Sequence, residues 1–190
     1  MTASSNSLNA IAQAGLSQLV IVDVQTRLAA IMQPESAMQA MIKNCGILAK
    51  AAAMLEEPTI FTEQYPQGLG STVPELLAEL RQMKAIEKTV FSCAAEPRFM
   101  RQLTSDRPQI ILAGMEAHIC VLQTALALVE TKQVFVVEDA IISRNPANKA
   151  NAIARLREAG CIISNTESVV FEWLGKAEGD TFKAISKLIR

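Results

Sequence analysis

Six short apolar runs punctuate the chain, and each leads into a segment of helical periodicity. The runs are Leu19–Val22, Thr59–Phe61, Ala85–Ile86, Ile110–Ala113, Val134–Val137 and Cys161–Ile163. Continuous apolarity, rather than alternation, marks strands covered on both faces, as in a parallel sheet. Between them, Glu35–Glu56 repeats Met38, Met41, Ile42, Cys45, Leu48 and Ala49 at helical spacing, so its methionines read as packing residues. Pro74 and Pro97 suit helix starts, with Thr72 a candidate cap, and a helix is expected from about Ala117 to Thr131. Asn145-Pro146 opens a segment that Gly160 stops; two further helices follow, at 166–174 and 181–188. Strands alternating with helices predict an open α/β fold: a three-layer α/β/α sandwich around a six-stranded, mostly parallel sheet. No repeat or low-complexity linker divides the chain. Residues 1–15 read as a flexible or short helical lead, and residues 16–190 as one domain.

Composition narrows the function. The formal charge is -1, and no basic run is interleaved with aromatics, so nothing predicts a grip on nucleic acid or an anionic membrane. No apolar run is long enough to span a bilayer. Residues 1–9 lack a basic start and do not read as a signal peptide. Cys45, Cys93, Cys120 and Cys161 are widely spaced, which fits free thiols in a reducing cytoplasm. With one histidine, no paired cysteines and no phosphate-binding glycine loop, neither a metal nor a nucleotide cofactor is expected.

Ligands of an open parallel sheet bind beyond the carboxyl ends of its strands, and those ends offer Asp23, Glu63, Lys88, Cys120 and Asp139. Cys120 follows the fourth apolar run and Gly114, beside the expected start of a helix. There, free N–H groups and the helix field would favour a thiolate, although a cysteine is also a small buried hydrophobe. Asp23 sits at the edge of the core, as a structural pair or cap or as a general base. Lys88 is either a surface lysine or an inward ammonium needing a carboxylate, with Asp23 the attractive partner. His118, two residues before Cys120, reads better as a pocket-lining or structural residue than as the base. Cys45, Cys93 and Cys161 read as core or near-core thiols.

The stretches Leu19-Val-Ile-Val-Asp23-Val-Gln25, Thr62–Gly70, Glu87-Lys88-Thr-Val-Phe-Ser-Cys93, Gly114-Met-Glu-Ala-His-Ile-Cys120 and Phe182–Lys187 occur in one order along nearly the whole chain. As an ordered set, the sequence resembles the isochorismatase-like cysteine hydrolases, in the branch of isochorismatase-domain-containing proteins of unassigned substrate. The resemblance implies a catalytic Asp23, Lys88 and Cys120, and a non-proline cis peptide at Met115–Glu116. It also implies an oxyanion hole from the backbone at Glu116 and Cys120, and homo-oligomers. Glu63, Tyr65, Phe91, Met115 and His118 are expected to line the pocket. The loop Thr62-Glu63-Gln64-Tyr65 lacks the Asp/His metal cluster of the superfamily's nicotinamidases, which argues against nicotinamide hydrolysis. A cysteine nucleophile is not needed to cleave a vinyl ether, so Cys120 favours a small amide-like or carbamoyl substrate. There is no basic track or histidine pair for RNA cleavage. The alternative is a non-catalytic binding or scaffold protein that retains the hydrolase fold.

Overall fold

The computed structural model describes residues 10–80 and 83–189. Among these, six strands, β1 (Ser17–Val22), β2 (Thr59–Gln64), β3 (Ile86–Lys88), β4 (Gln109–Met115), β5 (Gln133–Ile142) and β6 (Ile162–Ser164), form one sheet in the order β3-β2-β1-β4-β5-β6. Every pairing is parallel. The chain runs outward in one direction from β1 to β3, then crosses back to β4, so the order reverses between β1 and β4. That switch opens a crevice at the carboxyl ends of these two strands.

The helices are α1 (Thr26–Ala29), α2 (Glu35–Met54), α3 (Pro66–Leu69), α4 (Pro74–Leu77), α5 (Pro97–Met100), α6 (Leu122–Leu128), α7 (Pro146–Glu158), α8 (Thr166–Leu174) and α9 (Gly179–Ser186). Pro66, Pro74, Pro97 and Pro146 open their helices, where the missing N–H costs no bond. Alternate strand residues divide the core. Leu19, Ile21, Phe61, Ile111, Ala113 and Met115 pack with α2, α4, α8 and α9 on one face. Val20, Val22, Ile60, Leu112 and Val136 pack with α5, α6 and α7 on the other, together with Cys93 and Cys120.

Several local details differ from the expected ones. Residues 1–9 of the expected lead lie outside the described residues. Within the remainder, 10–15, Ala12 is buried and its N–H donates to Glu172 Oε2 (2.7 Å), and the Gly15 N–H donates to Glu57 Oε1 (2.7 Å). The helix expected from Ala117 begins instead as a π-helical turn, Ala117–Val121, and becomes α-helical only at Leu122. β5 runs beyond its apolar stretch because its register against β4 shifts between Leu112 and Gly114. Asp139, a strand-end candidate for chemistry, instead accepts from the N–H and hydroxyl of Thr166, both at 2.8 Å, and caps α8.

Gly114 brings β1 and β4 together where the site begins. Its φ is +117°, and a Cβ there would fall 2.1 Å from the carbonyl oxygen of Val22. Gly114→Ala must therefore both strain the backbone and push the strands apart. It should cost more than about 2 kcal/mol in urea unfolding; an unchanged midpoint would show that the strands move apart freely.

Candidate active site

β1 ends at Val22, and Asp23 then takes a left-handed conformation with φ 49°. Strand alternation alone would send its side chain to the face of Leu19 and Ile21. The turn carries the carboxylate to the opposite face, where Thr62 lies: the Thr62 hydroxyl donates to Oδ1 at 2.7 Å. Lys88, the last residue of β3, reaches across β2 and donates to Oδ2 at 2.6 Å, with both side chains wholly buried. Its ammonium also donates to Gln64 Oε1 (2.8 Å) and to the carbonyls of Phe91 (3.2 Å) and Val90 (3.3 Å). Four acceptors use all its donors, so Lys88 acts here through charge rather than by offering a hydrogen bond to a ligand. Burial works against that charge. Asp23, and then Cys93 and Cys120, outweigh it and hold the Lys88 pKa above the ordinary lysine value.

Cys120 enters from β4 by way of the cis peptide Met115–Glu116 and the π-helical turn. It is 6% exposed, and its thiol feels the opposite charges of Asp23 and Lys88. Burial first, and then the charge of Asp23, push this thiol well above the ordinary range; Lys88 pulls it down by less. Burial and Asp23 both oppose the resting thiolate that the helix field was expected to favour. Desolvation and an adjacent carboxylate outweigh the dipole of one turn. The wide turn has a second effect. The Glu116 carbonyl accepts from Ile119 N–H (3.0 Å) and Val121 N–H (3.3 Å) and passes over that of Cys120 between them.

The expected lining residues separate. Strand parity turns Glu63 away from Thr62 and Gln64; it is buried and accepts from Thr72 N–H (2.7 Å) and hydroxyl (2.8 Å), pinning the following loop. Met115 is wholly buried in the core on the far face of the sheet. Tyr65 is exposed, and its N–H donates to the Lys88 carbonyl (2.9 Å). Its ring borders a cleft of about 310 Å³ at the edge strand, lined also by Glu87, Glu96 and Arg98. That cleft touches Lys88 but neither Asp23 nor Cys120. Phe91 gives the site its carbonyl and exposes its ring. His118 pairs through Nδ1 with Ser143 Oγ (3.0 Å). The Glu116 side chain accepts from Arg144 N–H and Nε, each at 3.0 Å, holding the turn in place.

Thr62, Gln64 and Cys93 are site residues that the sequence reading passed over. Cys93 Sγ lies 3.8 Å from Thr62 Oγ1, and its N–H donates to the hydroxyl of Thr124, one helical turn past Cys120. Its thiol is raised by burial. Among the described residues, no group of three or more His, Cys, Asp or Glu side chains is placed to hold a metal.

A buried Asp–Lys pair beside a buried cysteine, at the switch point of a parallel sheet, defines a hydrolase of the thiol type in outline. The comparisons give the family. The isochorismatase domain model matches residues 17–168, and the chain belongs to that family. Isochorismatase domain-containing protein 2 of Bos taurus is 37% identical over 180 residues, covering 93% of this chain and 84% of that protein. The structure of MAR1 ribonuclease from Caenorhabditis elegans superposes with a TM-score of 0.85 at 35% identity, over 93% of this chain and 91% of that one. YcaC from Pseudomonas aeruginosa, solved with hexane-2,5-diol and covalent acrylamide, superposes with a TM-score of 0.87 at 26% identity, over 97% and 93%. The fold and the Asp–Lys–Cys network are those of a hydrolase.

Opposite charges flank the sulfur, so their removal has opposite signs. Asp23→Asn removes the charge that opposes ionisation and should lower the pH of half-maximal iodoacetamide alkylation at Cys120; Lys88→Met should raise it. Lys88→Met also leaves a buried carboxylate unpaired and should cost about 3–5 kcal/mol in urea unfolding. Peptide mass spectrometry against pH, with unfolding curves, checks both. Shifts of the same sign would contradict the geometry.

Proposed function

We propose that residues 16–190 act as one cysteine-dependent hydrolase domain on a small amide-like or carbamoyl substrate, through a thioester. The buried Lys88–Asp23 pair against the Cys120 thiol carries this reading. Asp23 takes the thiol proton as the sulfur attacks the carbonyl carbon. Backbone N–H groups of Glu116 and Cys120 hold the oxygen that becomes negative. The C–N bond then breaks, and Asp23 returns the proton to the leaving nitrogen. Water adds to the thioester and gives a proton to Asp23. The C–S bond breaks, and the proton goes back to the sulfur. Throughout, the Lys88 ammonium compensates the negative charge as it moves from carboxylate to sulfur and back.

The resting thiol fits this scheme. A neutral nucleophile beside its base loses its proton only when a substrate carbonyl is present to be attacked. The near-complete burial of Cys120 favours a compact substrate. The relative carrying covalent acrylamide, an electrophile that adds to nucleophiles through its alkene, supports a reactive nucleophile in this fold. Four free, buried cysteines support a reducing cytoplasm, and no helix of the described residues is long and apolar enough to cross a membrane. The exposed Tyr65, Val90 and Phe91 support self-association. Light scattering should give a multiple of the 20.6 kDa chain mass, whereas a monomer at micromolar concentration would refute the oligomer.

Incubation with a panel of primary amides and ureido compounds tests the chemistry. Ammonia release and an acid-stable acyl mass on the Cys120 peptide are expected from the wild type. Cys120→Ala should lose both, a drop of at least about 10³-fold in turnover, while unfolding at the same urea concentration. Retained turnover in Cys120→Ala would remove the nucleophile, and a wild type inert across the panel would favour a binding protein.

A further inference from the structure

The Thr62 hydroxyl is bonded to both the backbone and the carboxylate of Asp23. The oxygen accepts from the Asp23 N–H at 3.3 Å and donates its single proton to Asp23 Oδ1 at 2.7 Å. The Cys93 sulfur lies 3.8 Å from the same oxygen. Because the Thr62 proton is committed to the carboxylate, Cys93 can only be the donor in that contact, so its thiol must stay protonated. Its raised pKa agrees with this. Cys93 is itself fixed by its N–H bond to the Thr124 hydroxyl, on the helix that follows Cys120. Asp23 has no other anchor on this side: Lys88 holds Oδ2, and the left-handed backbone leaves the side chain off the strand's own alternation.

We propose that Thr62 is a positioning residue of the reaction, held in a one-directional relay from the Cys93 thiol through its hydroxyl to Asp23 Oδ1. This relay screens the carboxylate charge and aims it at Cys120. The proposal rests on the hydrolase reading above and adds residues that touch neither substrate nor sulfur 120. Without the hydroxyl, Oδ1 loses the Thr62 donor, and the carboxylate's field at Cys120 is less screened. With serine, the donor returns.

The test is the pH of half-maximal iodoacetamide alkylation of Cys120, read on its tryptic peptide. The wild type is compared with Thr62→Val, Thr62→Ser, Asp23→Asn and the Asp23→Asn/Thr62→Val double variant. Thr62→Val should move the midpoint up by about half to one pH unit. Thr62→Ser should restore it, and in the Asp23→Asn background Thr62→Val should change nothing. An unmoved midpoint in Thr62→Val, with Asp23→Asn still shifted, overturns the relay but spares the triad. A Thr62→Val shift that persists without the Asp23 carboxylate also overturns it, because Thr62 would then act on the sulfur by packing alone. No shift in Asp23→Asn sinks the relay and the hydrolase reading together. Should Thr62→Val fail to fold, Thr62→Ser and Thr62→Ala carry the comparison, with alanine expected to shift upward and serine not.

Discussion

A fully buried ammonium 2.6 Å from a fully buried carboxylate is the constraint on which the rest of this site depends. Two charges taken out of water cost several kcal/mol each unless further partners share them. The chain supplies those partners. Gln64 and two carbonyls serve the ammonium; the Thr62 hydroxyl, itself held by the Asp23 N–H, serves the carboxylate. The pair gathers segments that are distant in sequence, at the ends of β1, β2 and β3. It fixes the electrostatics that any group placed beside it must feel.

Cys120 is that group, and the proposed mechanism depends on its setting. Burial and Asp23 keep the proton on sulfur, while Lys88 keeps the opposing cost moderate. Charge transfer from Asp23 to sulfur leaves the net charge of the cluster unchanged, so no new ion has to be created in a dry pocket. The π-helical turn contributes geometry rather than field. Widening the first turn gives the Glu116 carbonyl to the N–H groups of Ile119 and Val121 rather than to that of Cys120.

Much of this architecture was legible in the residues. Continuous apolar runs such as Leu19–Val22 and Ile110–Ala113 could only be central parallel strands. Lys88, one position past the exposed Glu87 and two past the buried Ile86, falls on the inner face by simple alternation. What escaped did so for physical reasons. Charge drew attention to Glu63, yet parity puts its neighbours Thr62 and Gln64 on the site face. The left-handed turn at Asp23 breaks the same parity in the opposite sense, and no pattern of hydrophobicity records a positive φ. Met115 was linked to the pocket by adjacency to Glu116, although it remains a strand residue and packs on the far side of the sheet. The true start of the helix after Cys120 was hidden because a π-helical turn and an α-helical turn bury nearly the same apolar residues. Cys93 looked like filler because its role depends on Thr62 and Thr124, one 31 residues before it in sequence and the other 31 after.

The family and fold establish a hydrolase, and the Cys120 sulfur is the atom proposed to attack. Electron density from crystals soaked with a slowly hydrolysed amide and frozen during turnover tests that claim most directly. The account predicts continuous density from Cys120 Sγ to an acyl carbon, with the acyl oxygen within hydrogen-bond distance of the Cys120 N–H and Lys88 still on Asp23. Density joined to any other side chain, or an intact amide lying away from the sulfur under conditions of measured turnover, would contradict it.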